Sequence, residues 1–204
     1  RREFKRYDES GVGGDEWATD IGVNKGFYYL VLSNKNPSGN NSEQKYTLTL
    51  KVQSDQGNER EPNDRELMSN VLTLGEMMRG HFYPSKNLLE TEKELEEVDW
   101  FSIDVKQEGK FLLNIDVSEV PQVDTLFEIY DPNFYKIKEI NAGGPGQAEV
   151  LRFGIQGPIR YLMCLRSKSK QSSNVQIPYQ ILTELIPYNG EAEFEPNEQR
   201  LEAT

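Results

Sequence analysis

DWFSIDVKQEGKFLLNIDV, residues 99 to 117, is two alternating runs on either side of a Gln107-Glu108-Gly109 step. The first run carries Phe101, Ile103 and Val105 between polar residues, and the second carries Leu113, Ile115 and Val117. A strand turns successive side chains to opposite faces, so a period of two predicts two half-buried strands joined by a turn at 107–109. The same grammar continues outward. Thr125 to Tyr130 stops at Asp131-Pro132-Asn133, a turn signal, and Ile137–Ile140, Ala148–Phe153, Tyr161–Leu165 and Tyr179–Leu185 complete the series. Short strands with frequent turn signals and no long helical period predict an all-β, antiparallel β-sandwich. Helical turns are expected only within Asp64–Leu74 and Leu88–Leu95, the latter inside a charged, insertion-like NLLETEKELEE.

Composition narrows the function. Among 204 residues, 34 Asp and Glu against 23 Lys and Arg leave a formal charge of -11, the wrong sign for a nucleic-acid backbone or an anionic lipid surface. The longest apolar run, FYYLVL at 27–32, is strand-sized and far short of a membrane-spanning helix, so neither nucleic acid nor membrane insertion is expected. RREFKRYDES has no initiator Met and no signal-like start, and reads as an internal cut of a longer protein. Cys164 is the only cysteine and His81 the only histidine, which excludes an internal disulfide and an ordinary Cys/His zinc site. Cys164, inside YLMCL, reads as a buried strand thiol, and His81 as a strand-edge or surface residue.

Self-similarity organises the chain. Gly26–Val52 and Ile159–Leu185 share a strand, a polar loop and a second strand, with Tyr29 set beside Tyr161 and Tyr46 beside Tyr179. SGVGGDE at 10–16 resembles AGGPGQAE at 142–149, and E-x-E-P-N-[DE] occurs at Glu59 and again at Glu193. These landmarks recur at offsets of 132 to 134. The expected division is a tandem repeat: the second half of one unit at 1–55, a linker at 56–58, a complete unit at 59–187, a linker at 188–192 and the start of a further unit at 193–204. A half unit leaves strand edges and an apolar face open. Residues 1–55 are therefore expected to need strands from upstream or from another chain.

The order EPND, MMRGHF, VDWFSIDV, VDTLFEIYD, RYLMCL and PYQILTEL resembles the bacterial pre-peptidase C-terminal (PPC) domain family. The resemblance spans about 59–185, and its second half reappears in 1–55. It implies a jelly-roll-like β-sandwich accompanying the catalytic domain of secreted bacterial peptidases. It also implies a relationship to the collagen-binding domains of clostridial collagenases, which hold calcium near the domain's start.

In that light the opening motif has a chemical reading. Calcium takes six to eight oxygen ligands, commonly carboxylates, amide oxygens and carbonyls. In an extended segment Glu59, Glu61 and Asn63 share a face, Pro62 keeps Glu61 extended, and Asp64 adds a carboxylate at the turn. The resemblance supplies the completing acids as Asp99 with Glu96 or Glu97, although the family more often has Asp where Glu96 and Glu97 stand. The alternative is a domain-opening turn in which Asn63 or Asp64 caps a short helical turn. Glu193, Glu195, Asn197 and Glu198 repeat the ligand types, but their completing acids would lie in a further unit.

No constellation for catalysis emerges. His81 has no nucleophile elbow to serve, no two carboxylates stand out, and the glycine clusters lack the Lys-Ser/Thr of a phosphate loop. The expectation is a non-enzymatic, extracytoplasmic binding or accessory module whose partner is a protein or an extracellular polymer. The alternative is a structural scaffold built of tandem repeats.

Overall fold

The computed structural model describes residues 7–8, 10–18, 21–36, 38–55, 57–84, 97–170, 172–188 and 190. Its strands are β1 (Gly22–Val23), β2 (Arg60–Glu61), β3 (Asn70–Leu72), β4 (Met77–Phe82), β5 (Asp99–Val117), β6 (Thr125–Tyr130), β7 (Lys136–Ile140), β8 (Glu149–Ser167) and β9 (Asn174–Pro187). The main sheet runs β4-β9-β5-β8-β6-β7, with β3 alongside β5. All pairings along that path are antiparallel, and β3 joins β5 in parallel.

The two 19-residue strands β5 and β8 explain how one ladder makes a sandwich. Their register runs Asp99↔Leu165 to Val105↔Ile159, shifts, and resumes from Gly109↔Gly157 to Val117↔Glu149. Three residues, 106–108, therefore face Pro158 alone, and the ribbon bends there as strands do at a bulge. On one side of the bend lie β3, β6 and β7; on the other, β9 and β4. Phe101 and Ile103 before the bend and Leu113 and Ile115 after it are all fully buried in one core, with Phe127, Tyr161, Met163 and Tyr179. Because the same face of β5 is buried on both sides of the bend, the two halves of the sheet close on each other.

This corrects the expected turn at 107–109: it is an irregularity inside one strand, since β8 continues the ladder past it. Among the described residues the one short helix is a 3-10 turn at Glu66–Met68, flanked by Arg65 with no side-chain cap, so neither Asn63 nor Asp64 plays the capping role. Leu88–Leu95 lies outside the described residues. Cys164 is buried, as its apolar run predicts. A larger difference concerns the N-terminal part. The segments 27–32 and 46–52, expected as strands, belong to no sheet, and Phe27, Val31, Tyr46, Leu50 and Val52 are each at least 80% exposed. Among the described residues there, the one ladder is two residues long, β1 beside β2 in parallel.

On the outer face, the Arg160 guanidinium forks onto both carboxylate oxygens of Asp104 and holds its carboxyl below the usual Asp range. A depressed folded-state value means the pair's stabilisation is complete above about pH 4 and fades as pH falls through the depressed value. Exposure screens the pair, so Asp104→Asn is expected to cost under about 1 kcal/mol at pH 7. The deficit should shrink below pH 3, as read from urea midpoints at both pH values.

Candidate metal centre

The segment 57–63 is stitched to two strands. Glu59 N–H donates to the Arg79 carbonyl at 2.7 Å and Arg79 N–H to the Gly57 carbonyl at 2.8 Å, which lays the segment along β4. Trp100 N–H donates to the Asn63 carbonyl at 2.9 Å, which ties its far end to the start of β5. Between these ties alternation holds: Glu59, Glu61 and Asn63 are buried, while Arg60 is exposed and Pro62, after a cis peptide bond, half-buried. The expected shared face exists, and it points inward.

There it meets Asp99. The carboxylates of Glu59, Glu61 and Asp99 offer oxygens that all lie within 4.8 Å of one another, and each residue is at most 3% exposed. Glu59 Oε1 accepts the His81 backbone N–H at 3.0 Å, and Oε2 accepts Asn63 Nδ2 at 3.0 Å. The Tyr179 hydroxyl, from β9, lies 2.6 Å from Glu59 Oε2 and 2.8 Å from Asp99 Oδ2. It has one proton to share between the two acids. Burial, then the Asp99 and Glu59 charges, push the Tyr179 phenol well above its ordinary pKa, so it stays a donor. Tyr83 is raised too, mainly by burial and by Tyr7, with smaller effects of Glu59 and Glu61. Asn63 is fully buried, and its Oδ1 accepts no hydrogen bond from the described residues.

Three carboxylates so close in a dry place repel one another unless protons or a cation intervene. The donor set is oxygen only, three acids and one amide, which matches a hard divalent ion of the calcium type and not a thiolate or imidazole metal. Of the residues expected here, Glu59, Glu61, Asn63 and Asp99 come together. Asp64 is half-buried and Glu97 buried, but neither is in the 4.8 Å group. Glu97 instead helps line a small recess with Phe82, Tyr83, Ser169 and Lys170. Glu96, Glu193, Glu195, Asn197 and Glu198 lie outside the described residues.

Sequence reasoning missed three contributors. Tyr179 stood out only as a repeat landmark, because nothing local says that a tyrosine 80 residues from Asp99 will reach it. His81 is 2% exposed and not a surface residue; its backbone, in β4, donates to Glu59. Gly80 is required by space: a Cβ there would lie 2.3 Å from the Tyr179 hydroxyl and 2.4 Å from the Glu59 carboxylate. Tyr179→Phe leaves those acids without their shared donor and is expected to destabilise the metal-free protein by about 1–3 kcal/mol, measured by urea unfolding in chelator.

No protein-family model matches the chain, and no curated protein matches it in sequence. Among solved structures it is similar to the 1.0 Å crystal structure of the pre-peptidase C-terminal domain of a collagenase from Bacillus anthracis. The TM-score is 0.42 with 11% identity, over 57% of this chain and 94% of that one. A likeness of that degree places no residue and assigns no activity.

Proposed function

We propose that the chain is a non-catalytic, PPC-like binding or accessory module of an extracytoplasmic bacterial protein. Its sandwich is held at one corner by a calcium ion on Glu59, Glu61, Asn63 and Asp99. The observation that carries the cation is the set of three mutually close, buried carboxylates, with fully buried Asn63 held to Glu59 through its Nδ2 and its Oδ1 without a donor among the described residues. Bound there, the ion would offset their repulsion and tie the entry segment to the first residue of β5. Asp64 and Glu97 are second-rank candidates, close in sequence to the ligands and able to supply oxygens through water. The partner, a protein or an extracellular polymer, would be met by the sandwich surface, and the ion's role is to keep that surface in shape.

Titration calorimetry of the full chain with calcium chloride tests this reading. A saturable heat that disappears in Glu61→Ala/Asp99→Ala supports it. An unchanged heat in that variant, or none in either protein, overturns it. Retention on immobilised collagen or polysaccharide, with and without calcium, tests the binding role separately.

The scaffold alternative is favoured by one observation: the parallel ladder joining Gly22–Val23 to Arg60–Glu61 fastens the N-terminal segment to the strand that carries Glu61. A tandem scaffold needs such a junction between units.

A further inference from the structure

The N-terminal part repeats the local bonding of the sandwich. Gly14 N–H donates to the Gly11 carbonyl at 3.0 Å, as Gln147 does to Gly144 at 3.0 Å. The glycine inside each turn is left-handed, φ 82° at Gly13 and 77° at Gly146. Ser10 N–H donates to the Glu16 carboxylate at 3.0 Å, as Gly143 does to Glu149 at 2.7 Å. Lys35 pairs with Asp8, as Lys168 does with Asn141. Gly39 N–H donates to the Asn36 carbonyl and Ser172 to Ser169, both at 3.0 Å. Asn41 Oδ1 accepts the Glu43 and Gln44 amides at 3.1 Å each, and Asn174 Oδ1 those of Gln176 and Ile177 at 3.1 and 2.9 Å. Every one of these equivalences has the same offset, 133 residues.

That offset sets Tyr28, and not the expected Tyr29, beside Tyr161. Exposure agrees: Tyr28, Leu30 and Leu32 are less exposed (48–64%) than Phe27, Tyr29 and Val31 (71–98%), the alternation of a strand with one inward face. It sets 27–32 on the outer half of β8 and 46–52 on β9 from Tyr179 to Leu185. In the complete sandwich β8 and β9 never pair with each other, because β5 lies between them and pairs with both. The segments 27–32 and 46–52 belong to no sheet, and no β5-like strand lies between them among the described residues.

We propose that residues 27–32 and 46–52 form a slot for a β5-type strand, and that its occupant is the first half of another unit of this same repeat, a polypeptide patterned like residues 59–130. In the slot, the residue in Ile103's place faces Tyr28 and the one in Phe101's place faces Leu30, as Ile103 faces Tyr161 and Phe101 faces Met163. On the other side, the residue in Ile115's place faces Leu50, as Ile115 faces Thr183. Tyr161, Met163, Tyr179 and Ile181 are fully buried in the complete unit. Their counterparts Tyr28, Leu30, Tyr46 and Leu48 are 48–80% exposed and would be covered by the same insertion. The inference rests on these contacts and not on the cation.

The test is a chimera in which residues 59–133 are duplicated ahead of Arg1, so that Asn133 of the copy runs into Arg1. Hydrogen–deuterium exchange at 27–32 and 46–52 is expected to slow by about 100-fold or more relative to the unmodified chain, approaching 160–165 of the complete unit. A second measurement guards against a chimera that fails to fold. The peptide of residues 99–117, added to the unmodified chain, is expected to protect the same amides, while a scrambled peptide leaves them unchanged. Unaltered exchange in both experiments overturns the proposal.

Discussion

Calcium at about 100 times its dissociation constant is expected to raise the melting temperature of the sandwich by about 10 °C, and EDTA to reverse the gain. A ligand that binds only the folded state adds RT ln(1 + [L]/Kd), about 2.7 kcal/mol at that saturation. The unfolding entropy of a unit the size of residues 59–187 converts this into about 10 °C. Binding should be tight here because the metal-free state holds Glu59, Glu61 and Asp99 within 4.8 Å of one another with little access to water. Magnesium should be a poorer stabiliser, since it demands near-octahedral geometry and gives up its waters reluctantly. Asp99→Ala with Glu61→Ala should abolish the calcium response. Scanning calorimetry of both proteins in calcium, magnesium and EDTA reads all these outcomes. A melting curve indifferent to calcium would sink the cation centre.

Gly80→Ala is expected to damage the cation centre and the core together. The added carbon would stand 2.3 Å from the Tyr179 hydroxyl and 2.4 Å from the Glu59 carboxylate, both buried and held from several sides. Tyr179 cannot retreat, because its ring packs against Phe82 at 4.9 Å and edge-on to Phe101 at 6.5 Å. Overpacking of a rigid core costs about 1–3 kcal/mol, and displacing Tyr179 from two acids adds about 1–3 kcal/mol more. The midpoint of urea unfolding should drop accordingly, and calcium should no longer restore it, since the shift moves Glu59 away from its partners. Glycine at this position serves close approach of side chains, and full recovery of calcium-dependent stability in the variant would contradict that reading.

These two predictions depend on different levels of information. Alternation in DWFSIDV and KFLLNIDV foretold which residues of β5 face the core, because a strand's period is local and each apolar position needs cover. It did not foretell that both runs are one strand. Whether Gln107-Glu108-Gly109 reverses the chain or merely bends it depends on whether a neighbour continues past it, and that neighbour, β8, lies about 50 residues away in sequence. The same division holds at the cation centre. Glu59, Glu61 and Asn63 share a face by the period of two, and the motif announced it. Asp99 was reached only through a resemblance, and Tyr179 and Gly80 not at all, since their roles arise where β9 pairs with β4 and sets Tyr179 opposite Gly80, against Glu59 of the entry segment. Burial of His81 belongs with these, as β4 is covered there by the 57–61 segment and Tyr83.

Residue order alone determined the β class and the inward face of β5, and it raised as expectations a repeated layout near 133 residues and a charge unsuited to nucleic acid. Those are local or statistical properties of the chain, visible wherever periodicity and charge are. Tertiary structure decided which carboxylates meet, that a shared phenol proton joins two of them, and that the apolar ribbon FYYLVL joins no sheet. Such outcomes depend on contacts between distant segments, and a ladder or a ligand cage exists only when every member of it has arrived.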